Sequence, residues 1–600
     1  MWWEAVPEEI RRKTHVSTGY SNIHPADYIG PESCKECHPN NYAKWSEHPH
    51  RWMNARPTGE TVKGDFSGRS SISYLGGKAT FYREAGGYRM RLERRNVRRV
   101  YEITQTIGSR FFQYYVGRQL QGPESPEHKF FRDEHVLGFG YWLDREEWVP
   151  IVHVGDEQES PDGERPDPFN PASDSSYMVY AERCNQCHTT FSLADQYLRG
   201  TGNNGRQAAF PLHWSAYSYL REAHPQLVSA HGDPADFTDH EIDKIFELTR
   251  QFDASEHAVT WGISCEACHF GAKSHAVGKR ERPEFFPSSP HLFVGARGSD
   301  IDYGRSRANL TWACGRCHVG ERPQFAAGIA TWNSTECSDA MRGACYSQLT
   351  CIDCHDPHEA TGAKWPRTAE EDDASCIRCH KQYELEEARS RHTHHPIGSE
   401  GSRCMNCHMP RINEGLQDVV RTHTIFSPTR ADMIEANHPN ACNLCHLDQP
   451  IRWTMDHLHQ WYGASYDERR ISRSYPDHEK SVGLGWLESD EEAIRLVAAD
   501  ALTRTNSRWA LPQLLNALDD PYMINRQFAR IGLEKMLDVR LSDFGYRFYM
   551  TPKERREPLI FLRAQLIASE SDEKPAVSEE RSKKAAVDRE DVGPLGKKVQ

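Results

Sequence analysis

Residues 351–380 read CIDCHDPHEATGAKWPRTAEEDDASCIRCH. Two Cys-x-x-Cys-His units begin 25 residues apart, and Asp356-Pro357-His358 follows the first directly. Outward from this stretch the unit recurs, eight times in all. The units are Cys34/Cys37/His38, Cys184/Cys187/His188, Cys265/Cys268/His269, Cys314/Cys317/His318, Cys351/Cys354/His355, Cys376/Cys379/His380, Cys404/Cys407/His408 and Cys442/Cys445/His446. They use 16 of the 18 cysteines. Roughly a few hundredths of one such unit is expected by chance, for a pattern whose chemistry is c-type haem attachment.

The spacing has a chemical reason. Two thiols three positions apart can each add to one vinyl group of a haem, and the adjoining histidine then ligates the iron from the proximal side. Structural zinc needs four ligands per metal and fixes no histidine after each cysteine pair. A thioredoxin-like pair occurs once within a βαβ unit. The sequence therefore predicts eight covalent c-type haems. Cys337 and Cys345 lie outside the units and could form a small disulfide or remain two buried thiols.

Eight of the 31 histidines are used proximally, which leaves ample supply for a second ligand on each iron. His358 cannot curl round to the far face of its own haem but can reach a neighbouring one. His50, His275, His423 and one of His392, His394 and His395 (of which His395 is preferred) are the other distal candidates. His438 is a weaker one, and His15, His240 and His478 read as solvated side chains. A methionine ligand would raise the potential, but Met405 and Met409 sit too near their own proximal histidine, leaving Met53 as a minor alternative.

Composition agrees with this chemistry. Hydrophobic residues make up only 38 % of the 600, yet aromatics reach 10 %, with 15 Trp and 24 Tyr. Such a chain packs around something that is not protein. The net charge of −13 argues against a nucleic-acid partner, and each haem would add two propionates. A redox partner with a basic docking patch is expected. No apolar run reaches the roughly 18 residues of a membrane span. The start, MWWEAVPEEIRRKTH, shows no apolar signal stretch. Because c-type haem is attached after export, the expected location is still periplasmic or cell-surface, with the export signal upstream of Met1.

The expected fold is mainly α, with extensive irregular haem-wrapping loops. Residues 1–25 form an N-terminal extension and 26–465 an octahaem cytochrome domain. A small antiparallel β insertion is expected at about 60–155, between the first two haems. There Tyr88, Met90 and Leu92 alternate with Arg89, Arg91 and Glu93 after a Gly86-Gly87 turn. FFQYYVG and HVLGFGYWL read as further strands. Beyond the last motif the period becomes helical: Ile494, Val497, Ala498, Ala501 and Leu502 share a face, followed by Leu511, Leu514, Leu515 and Leu518, then Phe528, Ile531 and Leu537. Residues 485–568 thus read as α-solenoid-like, HEAT-type helices able to dock a protein partner, and 569–600 as a disordered charged tail.

The words joining the motifs carry a resemblance. YIGPESCKECHPNNYAKW resembles the opening of the cytochrome c-552/4-type domain. CNQCHTTF, GISCEACHFGAKSHAVG, CGRCHVGERP, LTCIDCHDPH, CMNCHMPRI and PNACNLCH follow in the order seen in large extracytoplasmic multihaem cytochromes, with doubled CXXCH domains and C-terminal helical repeats. The resemblance implies mostly bis-histidine haems and supports His50, His275, His358 and His423 as distal ligands. It departs at CEACHFGAKSH, where the family has a Gly-Pro-Gly turn, and at His438. It implies electron transfer through closely spaced haems, with no catalytic residue. The alternative is an octahaem oxidoreductase acting on a small nitrogen or sulfur compound, similar to hydroxylamine oxidoreductase. No Cys-x-x-Cys-Lys motif is present, and a tyrosine cross-linked to haem would have to come from Tyr462, Tyr466 or Tyr475.

Overall fold

A computed structural model describes residues 2–3, 6–16, 19–152, 167–170, 178–199, 205–362 and 364–572. The tail from 573 onward lies outside the described residues. Between the first two motifs the chain builds an antiparallel sheet of nine strands. They are β1 (Asn54–Ala55), β2 (Ser71–Tyr74), β3 (Gly77–Glu84), β4 (Gly87–Arg94), β5 (Val97–Ile107), β6 (Phe112–Gln121), β7 (His135–Val136), β8 (Phe139–Trp142) and β9 (Glu147–Pro150). The spatial order is β9-β8-β6-β5-β4-β3-β2, with β1 on β5 and β7 on β6. All of these strands but β1 lie within about 60–155, and the strands at 71–74 and 147–150, too short to show a clear alternation, form the sheet's two edges.

On β4 the alternation holds: Tyr88, Met90 and Leu92 are buried while Arg89, Arg91 and Glu93 are half-exposed. The β3–β4 turn has positive φ at both central residues, Ala85 (50°) and Gly86 (78°), the hand that matches the strand twist. The sheet's core is aromatic. Phe81 stacks on Trp148 with centroids 3.4 Å apart, and Phe66 sets its edge against Phe81, Tyr88, Tyr115 and Trp148.

The sheet is tied to the motif segments by a few polar groups. Asn54 donates to Gln105 Oε1 and accepts from Thr189 Oγ1, the residue after His188, both at 2.9 Å. Thr189–Phe191 in turn pairs with Ala258–Trp261, just ahead of the third motif. Gly262 has φ 76° and lies so close to the Arg51 carbonyl that any Cβ there would overlap it. That close approach lays the chain beside His50, whose carbonyl accepts from the Ile263 amide at 2.8 Å.

The C-terminal helices are α1 (Glu492–Arg504), α2 (Leu511–Asn516), α3 (Met523–Leu537) and α4 (Pro552–Asp572). All five apolar residues expected on one face of α1 are buried, but so are Leu496 and Ala499. A helix apolar nearly all round is an interior helix. α1 packs on α3 and on the hairpin Arg411–Glu414/Val419–Arg421 that follows the seventh motif. An ion cluster built on the buried Arg530 and Glu534, with Glu147 and Arg145 partly exposed, joins this region to the sheet. Arg530 bonds Glu147 at 2.7 Å and Glu534 at 3.0 Å, and Arg145 bonds Glu534 at 2.8 Å. Near the hairpin, Trp142 Nε1 donates to Gln417 at 3.2 Å. Sheet, hairpin and helices therefore share one hydrophobic core. No helix among the described residues is long and apolar enough to cross a membrane.

Candidate haem-binding network

Five motif histidines each have a second imidazole at nearly the same distance. Ring centroids lie 6.1 Å apart for His38 and His275, 6.4 Å for His318 and His50, and 6.3 Å for His355 and His423. They lie 6.2 Å apart for His408 and His392, and 6.1 Å for His446 and His395. Stacked rings elsewhere in the chain approach much closer, as His394 does on Trp461 at 4.2 Å. An imidazole nitrogen bonds a first-row metal at about 2 Å and sits about 1 Å from its ring centre, so two axial imidazoles on one metal have centres roughly 6 Å apart. The five separations match that sum.

Hydrogen bonding gives an independent test of fit. A carbonyl or carboxylate oxygen only accepts, so a ring nitrogen facing one carries the proton and leaves its lone pair on the other nitrogen. Nδ1 faces such an oxygen at His318 (Glu336 Oε2, 2.8 Å), His408 (Phe426 carbonyl, 2.9 Å), His275 (Arg280 carbonyl, 3.3 Å), His395 (Thr393 carbonyl, 2.6 Å) and His358 (Asp356 Oδ1, 3.1 Å). In the neutral ring of each, Nε2 is the free base, the ligating form. The buried His224 and the half-buried His291 show the reverse. Nε2 of His224 donates to Asp195 at 3.0 Å, and Nε2 of His291 to Glu222 at 2.7 Å. His438 has both nitrogens engaged, by the Ala326 amide at 2.7 Å and Glu491 at 3.2 Å. His224 and His257 also lie 6.0 Å apart, but Phe252 packs against both rings. Distance alone does not make a ligand pair.

Burial keeps the imidazoles neutral, as ligation requires. It pulls His50 down to about 3 and His188 and His269 to about 4. After burial, the largest influence on His269 is His358. Among the described residues no imidazole pairs at similar range with His188, whose ring neighbour is Tyr180 (6.3 Å), with His269, which meets Phe285 (5.0 Å), or with His380. His318 is the exception in charge: burial pulls it down, but the Glu336 carboxylate outweighs this and raises it to about 9.

Neighbouring motifs meet through their thiols. Cys34 lies beside Cys265, Cys187 beside Cys317, Cys314 beside Cys351 and Cys376 beside Cys404. Cys268 is close enough to feel Cys317, Cys354 to feel Cys376, and Cys442 to feel Cys407. The motifs thus form a continuous row, first–third–fourth–fifth–sixth–seventh–eighth, with the second attached to the fourth. Cys337 and Cys345 are free thiols, and burial raises Cys337 to about 12.

The sixteen motif thiols are not uniform in their surroundings. Cys37, Cys379 and Cys445 are exposed, whereas the remaining motif thiols are half-buried. The cause is local. In each of these units the first thiol faces a neighbouring motif, Cys34 toward Cys265, Cys376 toward Cys404 and Cys442 toward Cys407. The second thiol, three positions on, is left on the outer side of the turn. The adjoining His38 and His380 are exposed as well.

The distal positions expected at His50, His275, His395 and His423 each face a motif histidine, and His358 acts on His269. Sequence reasoning chose one residue from the His392–His395 cluster, whereas the structure brings two of them to two different motifs. It also missed Glu336, which stands 18 residues beyond His318 with no motif to mark it. Tyr462, Tyr466 and Tyr475 all donate to backbone carbonyls, of His392, Thr429 and Ile434 respectively. Of the minor alternatives, Met53 follows the short helix carrying His50, while Met405 and Met409 flank His408.

Residues 346–385 match the family model of the doubled CXXCH motif. No curated protein matches the chain. Among solved structures, the chain is similar to the outer cell wall cytochrome OcwA, with 12 % identity, 85 % of this chain and 100 % of that chain covered, and a TM-score of 0.35. It is also similar to the undecahaem cytochrome from the S-layer of Carboxydothermus ferrireducens, with 14 % identity, 86 % and 70 % covered, and a TM-score of 0.32. A third is the octahaem sulfite reductase MccA of Wolinella succinogenes, with 15 % identity, 68 % and 59 % covered, and a TM-score of 0.27.

Proposed function

We propose that the chain is an octahaem c-type cytochrome that passes electrons along closely spaced, mostly bis-histidine haems in an extracytoplasmic respiratory pathway. The observation that carries this reading is the set of five imidazole pairs at 6.1–6.4 Å, each including a motif histidine. Haem iron supplies reversible one-electron transfer when bound. The protein's part is to set two imidazoles opposite one another at each paired site, to fix a ring through Nδ1 in four of the five pairs, and to set successive motifs side by side. A haem held by both imidazoles of a pair would leave no position for a substrate, so the paired sites would serve transfer rather than turnover.

The oxidoreductase reading finds less support. The three tyrosines that could cross-link to haem each spend their hydroxyl on a carbonyl. The expected partners are donor and acceptor proteins with basic docking patches, since the chain is acidic. The test is the ferric spectrum of the chain purified from a host able to attach haem. Eight haems per chain by pyridine haemochrome and a low-spin resting state are expected. A colourless or zinc-loaded product refutes the cytochrome reading, and a strong high-spin signal moves the assignment to an oxidoreductase.

A further inference from the structure

The fourth motif differs from the other seven in two independent ways. It is the junction of the row: Cys317 lies beside Cys187 of the second motif, Cys314 beside Cys351 of the fifth, and Cys317 within electrostatic reach of Cys268 of the third. Among the described residues it is also the one whose proximal imidazole meets a carboxylate. Glu336 Oε2 is 2.8 Å from His318 Nδ1. The other oxygen of Glu336 accepts from the Ser334 amide at 3.1 Å, which fixes the carboxylate's orientation. At His408 the equivalent acceptor is only the neutral Phe426 carbonyl.

A charged acceptor draws the Nδ1 proton toward itself and makes the imidazole a stronger donor at Nε2. A more basic axial ligand favours ferric over ferrous iron and so lowers the potential, a lever distinct from ligand identity. Glu336 also acts through space on His423, the imidazole facing His355, so its charge reaches the fifth site more weakly. Building on the electron-transfer reading, we propose that Glu336 is a positioning and tuning residue that makes the Cys314–His318 site the low-potential junction of the network. Electrons passing between the His38/His269 arm, the His188 branch and the His355–His446 arm must all cross this step, and Glu336 sets its height.

The experiment is a spectroelectrochemical titration of the haem-loaded full chain and its variants. His50→Met identifies the junction, because exchanging one imidazole for a thioether raises the potential of that haem alone. In the wild type the step so identified must lie at the low end of the titration. In Glu336→Gln the same step is expected to move to a more positive potential, with a smaller move at one neighbour and total haem unchanged, while Glu336→Asp restores part of the wild-type position. The inference is overturned if the identified step is unmoved in Glu336→Gln, or if it already stands among the most positive in the wild type. Should Glu336→Gln fail to load haem, the wild-type position of the His50→Met step decides. A wild-type chain that binds no haem would instead sink the electron-transfer reading itself.

Discussion

His392, His394 and His395 lie within four residues, yet the structure gives them three different tasks. The helix Glu386–Thr393 carries His392 on its last turn, with its ring 6.2 Å from His408 and nearly parallel to it at 2°. His394 then turns left-handed (φ 56°) and stacks on Trp461. That reversal sends His395 toward His446, at 6.1 Å and 38°. Gly401 makes room for it, since a Cβ there would overlap the His395 ring. Thioether attachment is separate from axial ligation, so a lost ligand changes spin state without losing haem. Each of His392→Ala and His395→Ala should therefore convert about one-eighth of the ferric haem to high spin, the double variant about one-quarter, and His394→Ala none. Electron paramagnetic resonance of the ferric protein, scaled to pyridine haemochrome, reads these fractions. The His392 variant should also lose the signal of a haem with parallel imidazole planes, which differs from that of the 55° pair His50–His318. High spin in His394→Ala, or a double variant no different from either single one, would show the geometry misread.

Three further outcomes follow from burial. Burial, reinforced by the nearby Glu492, raises the Glu414 carboxyl to about 8 against partial compensation by Arg322. Because the folded value lies above the unfolded one, the folded chain keeps a proton that the unfolded chain releases. Stability should fall as pH rises from about 4.5 to 8, by about 3 kcal/mol after allowing for partial exposure. Glu414→Gln should flatten that slope in thermal melts, and an unchanged slope would contradict the assignment. Alkylation of the native haem-loaded chain should modify Cys345 faster than Cys337, which is 3 % exposed, and the denatured chain should yield two thiols; more than two would mean motifs without haem, with the exposed Cys37 and Cys379 the first to react. Limited proteolysis of chain made without haem attachment should cut first between 338 and 411 and spare the sheet, whereas uniform digestion would argue against a haem-built core there.

Covalent chemistry confined to five contiguous residues is fully visible in a sequence, which is why the eight motifs needed no structure. The β4 alternation was equally visible, because one face of that strand is buried and the other is not. Candidate second histidines could be singled out where they lie close behind a motif, as His358 does. Their pairings were not. His50 faces His318 across 268 residues of chain, and His275 faces His38 rather than its own motif. Such contacts leave no periodicity, since each depends on a single side chain delivered by a long-range fold. The same holds for Glu336, one glutamate among many until its carboxylate is seen against His318. Nor does a repeated motif tell which of its thiols the fold will cover, as the open Cys37 and Cys379 show. The α1 pattern named the right buried residues but understated how enclosed the helix is, because the hairpin covering it comes from a distant stretch.

One contrast within the chain bears on what its interior is made of. Sheet, hairpin and C-terminal helices carry an ordinary apolar core, with Phe81, Leu502 and Leu514 fully enclosed. Between Cys337 and Ile412, among the described residues, Pro410 is the only apolar side chain buried. The other enclosed groups there are polar: Asp339, Asp373, which takes the Cys404 amide at 3.0 Å, and Ser402. About 1 to 2 kcal/mol of backbone entropy per residue opposes ordering such a stretch, and hydrogen bonds netting about 1 kcal/mol each cannot offset it alone. This same stretch holds three of the eight motifs, the densest run in the chain. On the haem reading proposed above, a large apolar macrocycle tied through two thiols would supply the buried area that the side chains do not. The His392–His408 pair lies in this stretch, and the His355–His423 pair reaches into it. Aliphatic poverty and motif density would then be one fact seen twice.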